Sequence, residues 1–147
     1  MKRRINEMKL RLPAISVNEA VARSVISAFV AELNPTVEEL GDLRCAVSEA
    51  VTNCIVHAYR YNPEGEEGYI YISARLYDNR EITVEISDNG CGIENIAEAR
   101  MPRFTTGESC ERCGMGFLVM ESFMDSLSVK SKPGRGTTVL MRKILKP

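Results

Sequence analysis

Hydrophobic and polar positions follow two different spacings along the chain, and these spacings predict both strands and helices. Strands are predicted where apolar and polar residues alternate, over residues 8–12, 70–76, 82–86, 126–131 and 137–145. Helices are predicted where apolar residues recur every three or four positions, over residues 16–32, 36–61 and 117–124. A shorter helical segment is expected near 94–100, followed by a polar loop over 102–113.

The order of these elements indicates the fold class. The later strands come in pairs joined by turns, such as the one at 78–80, and they do not alternate with single helices. We therefore expect an α+β two-layer sandwich, with a mixed, mostly antiparallel sheet and the helices on one face. A chain of 147 residues fits one domain, 1–147, that can bury its own core.

Two capping boxes are predicted to start the first two helices. Ser16 stands three residues before Glu19, and Thr36 stands three residues before Glu39. In such a pair, each side chain can accept a hydrogen bond from a backbone amide that has no partner inside the helix.

Composition excludes several classes of protein. Hydrophobic residues make up 44% of the chain and charged residues 27%, as in ordinary globular domains, so disorder is not expected. A net charge of −1 gives no overall attraction to nucleic acid or to membranes. No signal peptide or membrane span is recognisable, which predicts a soluble, cytoplasmic protein. The five cysteines are odd in number and irregularly spaced, as expected of reduced thiols.

Three polar residues of the second predicted helix share one face. Glu49, Asn53 and His57 follow one another at intervals of four. Such a stripe usually faces water. In a cleft, however, an Asn oxygen suits Mg²⁺ and a nearby carboxylate can accept a proton from an attacking hydroxyl.

The run Asp88-Asn89-Gly90-Cys91-Gly92 allows two interpretations. Asn-Gly is the favoured pair of a two-residue hairpin turn. Alternatively, the run is an adenine site, in which the carboxylate accepts a hydrogen bond from the exocyclic amine and the glycines let the backbone approach the ring. The second glycine is not needed by a simple hairpin.

Two further glycine-rich segments follow. Gly107 and the run Gly114-Met115-Gly116 precede a predicted helix, where backbone amides and the helix dipole can attract an anion. No Walker A loop occurs. The run 134–138 (GRGTT) enters the last strand, and taken alone it is better explained as an ordinary glycine turn into a β-branched strand.

Together, the four segments resemble the N, G1, G2 and G3 boxes of the gyrase-type ATPases and histidine kinases. The runs 48–53 (SEAVTN), 104–106 (FTT), 111–117 (ERCGMGF) and 120–125 (MESFMD) narrow the resemblance to the sporulation anti-sigma-F factors, a family of serine kinases. The likeness covers nearly the whole chain and implies a Bergerat-type ATP-binding fold.

The resemblance implies a role for each matching residue. Glu49 would be the general base, Asn53 would hold Mg²⁺ and Asp88 would bind adenine. The loop 102–113 would close over the triphosphate, and Arg112 would contact the terminal phosphate or the incoming partner. The residues expected to bind ATP, and ADP after transfer, are Asn53, Asp88, Gly90, Gly92, Thr105, Thr106, Arg112, Gly114, Met115, Gly116, Phe117 and Thr138.

The resemblance also implies protein partners. Members of the family bind a sigma factor of RNA polymerase as a homodimer, and they phosphorylate a serine of the anti-anti-sigma protein that displaces it. Glu19, Arg23 and Arg112 would contact these partners, with no direct role for nucleic acid or membrane. Glu19 and Arg23 also stand at the spacing of an ordinary surface ion pair.

Some residues depart from the family pattern and leave alternatives open. Gly107 stands where the family usually has a lysine, so a sigma-binding module without kinase activity is one alternative. A histidine-kinase-type catalytic domain is another. Cys113 and Ala58 replace a typical serine and glycine. A zinc site is a further alternative, with the ligands Cys54, His57, Cys110 and Cys113.

Overall fold

The computed structural model describes residues 1–101 and 111–147, which form one antiparallel sheet and a layer of helices. The strands are β1 (Arg4–Pro13), β2 (Tyr69–Tyr77), β3 (Glu81–Asp88), β4 (Ser126–Lys132) and β5 (Gly136–Ile144). The helices are α1 (Val17–Val30), α2 (Val37–Asn53), α3 (Ile96–Ala99) and α4 (Glu111–Phe123). A 3₁₀ turn, Ala31–Leu33, follows α1, and a π-helical turn, Cys54–Ala58, follows α2.

The strand order in the sheet is β1-β2-β3-β5-β4, and every pairing is antiparallel. Ile72 lies opposite Leu10 on one side and Ile86 on the other, so the apolar residues of neighbouring strands meet on one face. The register therefore follows the alternation in the sequence, and the predicted hairpins 70–86 and 126–145 are both confirmed.

The core lies between this face of the sheet and the helices. Ala22, Ile26 and Val30 of α1 and Val47 and Val51 of α2 are completely buried there. Full burial of each large aliphatic side chain contributes about 1.5–3 kcal/mol. Within the described part of the chain, none of the helices is both long enough and apolar enough to cross a membrane.

The two predicted capping boxes have different outcomes. At α2, the Thr36 hydroxyl accepts from the Glu39 amide and the Glu39 carboxylate accepts from the Thr36 amide, both at 3.0 Å, as predicted. At α1 the prediction is wrong. Ser16 itself has helical backbone angles (φ −53°, ψ −39°), so its hydroxyl is not directed at the free amides. Glu19 instead accepts from the Ser48 hydroxyl of α2 at 2.5 Å.

The last part of the second predicted helix is not an α-helix. Regular α-helix ends at Asn53, and residues Cys54–Ala58 form a wider π-helical turn. This turn brings the Ala58 carbonyl within 2.7 Å of the Cys91 amide, which donates to it. Short π-helical turns of this kind are frequently found at functional sites.

Helix α4 begins earlier than the glycine pattern predicts. Gly114 and Gly116 lie inside α4, which starts at Glu111, and not before a helix as expected. A glycine inside a helix costs about 1 kcal/mol relative to alanine. Burial of Phe117, Met120 and Met124 against the core offsets that cost. The rest of the predicted loop, residues 102–110, lies outside the described residues.

Candidate active site

A cavity of about 510 Å³ opens between α2, the loop after β3, α3, α4 and the start of β5. Its lining includes Asp88 and Gly92, on the side of β3 and the loop that follows it, and Asn53, Gly116 and Phe117, on the side of α2 and α4. All four of the glycine or polar segments found in the sequence therefore border one cavity. The fourth, at 134–138, reaches it through Thr137.

Asp88 is the carboxylate at one end of this cavity. It ends β3 and is only 8% exposed. Its Oδ1 accepts hydrogen bonds from the amides of Gly90 at 2.9 Å and Thr137 at 3.2 Å, and its Oδ2 lies 3.6 Å from the Cys54 sulfur. Burial raises the pKa of Asp88, although the hydrogen bonds from Gly90, Cys54 and Thr137 act in the opposite direction. A carboxylate that burial has partly desolvated in this way gains most from a ligand that donates a hydrogen bond.

The loop after Asp88 fits closely against its neighbours. A Cβ on Gly90 would overlap the carbonyl oxygen of Ala58, and Gly92 has a φ of +75°, which side chains rarely allow. The chain continues from this loop into α3 and does not return in a paired strand. The hairpin interpretation of Asn89-Gly90 is therefore wrong, and the glycines serve a close approach at the wall of the cavity.

Asn53 lines the cavity on the side of α2 and α4, and Glu49 lies beside it. They lie one turn apart on α2 and face Gly116 of α4. A Cβ placed on Gly116 would be 3.4 Å from Asn53 Nδ2, 3.5 Å from Asn53 Oδ1 and 3.5 Å from Glu49 Oε2. The missing side chain thus leaves room for about one methyl group beside an amide oxygen and a carboxylate.

His57 lines the same cavity one turn beyond Asn53. Burial lowers the pKa of His57, and the positive charge of Arg60 lowers it further. The imidazole is therefore mostly neutral at neutral pH.

The structure does not bring Thr138 to the cavity wall. Thr137 lines it, and Thr137 Oγ1 lies 2.8 Å from Ser131 Oγ, which in turn accepts from the Ile93 amide at 2.8 Å. Thr138 points to the opposite face of β5, since successive residues of a strand alternate. The sequence contained the signal: Thr137 has the same parity as Val139 and Met141, which are buried.

Several expected residues fall outside this description. Thr105, Thr106, Gly107 and Cys110 lie outside the described residues. The side chains of Arg112, Cys113 and Met115 lie outside the description as well. The zinc interpretation needs Cys110 and the side chain of Cys113, and both belong to this undescribed part. Among the side chains that the structure describes, no group of three His, Cys, Asp or Glu residues is arranged to hold a metal ion.

The pair Glu19 and Arg23 lies on α1, on the side facing α2. Arg23 Nη2 is 3.5 Å from Glu19 Oε2, so the ion pair expected from the spacing is formed. Glu19 also accepts a hydrogen bond from the hydroxyl of Ser48. Because Ser48 directly precedes Glu49, this bond connects the Glu19–Arg23 ion pair to α2 beside Glu49.

Known proteins resemble this chain over almost its full length. A family model described as a histidine kinase-like ATPase domain matches residues 12–143. The anti-sigma F factor of Caldanaerobacter subterraneus subsp. tengcongensis is 51% identical over 140 residues, covering 95% of this chain and 94% of that protein. The anti-sigma F factor of Clostridium acetobutylicum is 49% identical over 138 residues, covering 94% and 93%.

Solved structures share the fold. The RsbU and RsbW domains of a Mycobacterium tuberculosis protein align with a TM-score of 0.70 over 97% of this chain and 34% of that chain. A histidine kinase domain of a blue-light activated kinase from Erythrobacter litoralis aligns with a TM-score of 0.58, over 91% and 62%. Both are 18% identical to this chain, so they carry the fold and nothing more.

The fold and the family model together define the class: this is a histidine kinase-like ATPase domain, whose ligand is ATP. Within that class, the chain belongs to the anti-sigma F factor family. The family resemblance and the two-layer α+β fold expected from the sequence are both confirmed.

Proposed function

We propose that this anti-sigma F family member binds and inhibits a sporulation-type sigma factor of RNA polymerase, and that it is also a serine kinase. It uses Mg-ATP to phosphorylate a serine of the anti-anti-sigma protein that opposes it, and it works as a homodimer in the cytoplasm. The observation that carries the proposal is that Asp88 and Asn53 line one cavity, with Glu49 beside Asn53.

The end of the cavity at Asp88 fits adenine. The exocyclic amine would donate to the Asp88 carboxylate, whose position is fixed by the amides of Gly90 and Thr137. Ile86 and Val139 line the wall beside it and supply apolar contact for the ring.

The other end fits the phosphates and a magnesium ion. The Asn53 amide oxygen is a hard ligand of the kind that Mg²⁺ prefers, and the absent side chain of Gly116 leaves space next to it. When bound, Mg²⁺ neutralises charge on the phosphates. Thr105, Thr106, Arg112, Gly114 and Met115 would complete this end, as the family resemblance implies.

Glu49 is proposed as the general base. Its carboxylate lies within about one turn of Asn53, on the same side of α2, where it can accept the proton of a serine hydroxyl on the partner protein. Such a base contributes about 10²- to 10⁴-fold to the rate. Glu19, Arg23 and Arg112 are proposed to contact the sigma factor and the phosphoacceptor protein.

A second candidate function is favoured by one residue. Gly107 stands where the family usually has a lysine, so one cation is absent from the segment expected near the terminal phosphate. A chain that binds the sigma factor but transfers phosphate poorly would fit that departure.

A transfer assay separates the two functions. The chain is mixed with labelled Mg-ATP and the anti-anti-sigma protein from the same organism, and the label on its serine is measured. We expect transfer by the unmodified chain and by Glu38→Ala, an exposed glutamate on the same helix. Glu49→Ala should lose about 10²- to 10⁴-fold in rate while it still binds the sigma factor. Absence of transfer by the unmodified chain would favour the binding module.

A further inference from the structure

We propose that Tyr59 is a positioning residue for the adenine end of the cavity, which it serves by fixing the backbone next to Asp88. The inference rests on the proposed nucleotide site. Tyr59 directly follows the π-helical turn, where the chain leaves α2. Nothing in the pattern of the four ATPase segments singles it out.

The phenol bridges the ends of two neighbouring strands, just beyond the last β2–β3 pair, Ile70 and Asp88. Its hydroxyl donates to the carbonyl of Tyr69, at the start of β2, at 2.5 Å. The same oxygen accepts the amide of Asn89 at 2.9 Å. Asn89 stands between Asp88, the proposed adenine carboxylate, and Gly90, whose amide binds that carboxylate. One side chain thus fixes the loop on the side away from β5.

The hydroxyl is held in the donor form that this arrangement needs. Burial raises the pKa of Tyr59, so the phenol is protonated throughout the physiological range. A protonated hydroxyl can donate to one backbone group and accept from another at the same time, which is what Tyr69 and Asn89 require.

A second feature shows that the position of the ring is built into the fold. A Cβ on Gly68 would overlap the ring of Tyr59. Gly68 itself is anchored, since its carbonyl accepts the Ala14 amide at 2.8 Å. The glycine therefore makes the room into which the ring fits.

The hydrogen bonds around Asp88 explain why a change at Tyr59 should weaken nucleotide binding. Asp88 is fixed from β5 by the Thr137 amide and from its own loop by the Gly90 amide. Loss of the hydrogen bond to Asn89 would release the residue next to Asp88, although Cys91, two residues further on, would still be held by the Ala58 carbonyl. The carboxylate would then meet adenine in a poorer geometry, while Glu49 and Asn53 on α2 would be unaffected.

Tyr59→Phe tests the inference, because it removes the hydroxyl and keeps the ring. We expect the Kd for ADP, measured by titration calorimetry, to rise about two- to tenfold, the equivalent of one lost hydrogen bond or two. In the transfer assay the KM for ATP should rise with kcat unchanged. Tyr71→Phe is the control. Tyr71 is a half-buried tyrosine two residues after Tyr69 in β2, and its loss of a hydroxyl should leave the Kd and KM as in the unmodified chain.

The outcomes separate this inference from the proposed function. If the unmodified chain does not bind ADP, the nucleotide site itself is wrong. If it binds ADP and Tyr59→Phe binds equally well, or loses kcat at an unchanged KM, the positioning role is wrong. Gly68→Ala gives an independent check, since it keeps the hydroxyl and displaces the ring. It should weaken ADP binding in the same way, and normal binding by a folded Gly68→Ala chain would overturn the inference.

Discussion

The two ends of the cavity are built in different ways. At the end proposed for adenine, Asp88 is 8% exposed and is held by the amides of Gly90 and Thr137. At the end proposed for the phosphates, Glu49 and Asn53 are half-buried side chains on one helix that face Gly116 on another. Backbone groups of the sheet and its loops fix the first end, whereas the second depends on side chains and on how closely two helices approach.

This difference assigns different tasks to the two ends. A carboxylate held rigidly by backbone amides is suited to recognition, because little conformational entropy is lost when the ligand binds. Side chains that act on the reacting groups affect turnover more than affinity. We therefore expect changes at the adenine end to act on Kd, and changes at the phosphate end to act on kcat.

The largest effect on binding is expected from Asp88→Asn. The amide keeps one acceptor oxygen for Gly90 and Thr137 but removes the charge that would accept from adenine. A hydrogen bond to a charged group contributes about 1.5–3 kcal/mol, so the Kd for ADP should rise about 10- to 100-fold. Titration calorimetry measures it. A rise in Kd of less than threefold would mean that Asp88 is not the adenine carboxylate.

The same variant should stabilise the chain in the absence of nucleotide. Burial raises the pKa of Asp88 above its unfolded value of about 4, so the folded state binds this proton more tightly. Between about pH 4 and the raised folded pKa, the stability therefore falls as the pH rises, and above it the full loss remains. Asp88→Asn removes that loss, and its Tm at pH 7 should exceed that of the unmodified chain. A lower Tm at pH 7 would show that the charge supports the fold.

A smaller effect, at the other end, is expected from Gly116→Ala. The added methyl group would lie 3.4–3.5 Å from Asn53 and Glu49 and fill the space beside them. We expect kcat to fall about tenfold, the equivalent of about 1.4 kcal/mol, with the Kd for ADP measured without Mg²⁺ changed less than twofold. Alanine also favours the helix by about 1 kcal/mol, so the Tm should not fall.

Gly41→Ala is the matched control for that experiment. Gly41 lies in α2, and a Cβ there meets nothing within 4 Å. It should show the same gain in helix stability without the loss of turnover. If Gly116→Ala weakened ADP binding as strongly as it slowed transfer, the division of tasks between the two ends would be wrong.

Most of the fold could be predicted from the sequence, including which strands form hairpins. Alternation and helical spacing are direct consequences of backbone geometry, which is why the strands, the two hairpins and the capping box at Thr36 could all be predicted. Asp88 and Asn53 could be brought to one cavity only through the family pattern, since they lie in separate elements.

What the sequence could not give are the features that depend on local backbone geometry. Ser16 has the composition of a cap, but its own helical angles prevent it from capping. Gly116 suggests the end of a loop, yet it lies inside α4, where that helix packs beside Asn53 of α2. The π-helical turn at Cys54–Ala58 leaves no mark on the apolar spacing, and it places Tyr59 where Asn89 can donate to it.

The smallest expected effect concerns the two threonines that enter β5. Thr137 lines the cavity, its amide donates to Asp88 at 3.2 Å, and its hydroxyl lies 2.8 Å from that of Ser131. Thr137→Val keeps the amide and loses the hydroxyl, so the Kd for ADP should rise about two- to fivefold. Thr138→Val changes the opposite face of the strand and should leave the Kd unchanged. The reverse result would mean that the nucleotide contacts Thr138 and not the Thr137 side chain. The Thr137 amide alone would then hold Asp88, and the Thr137 hydroxyl would have no part in nucleotide binding.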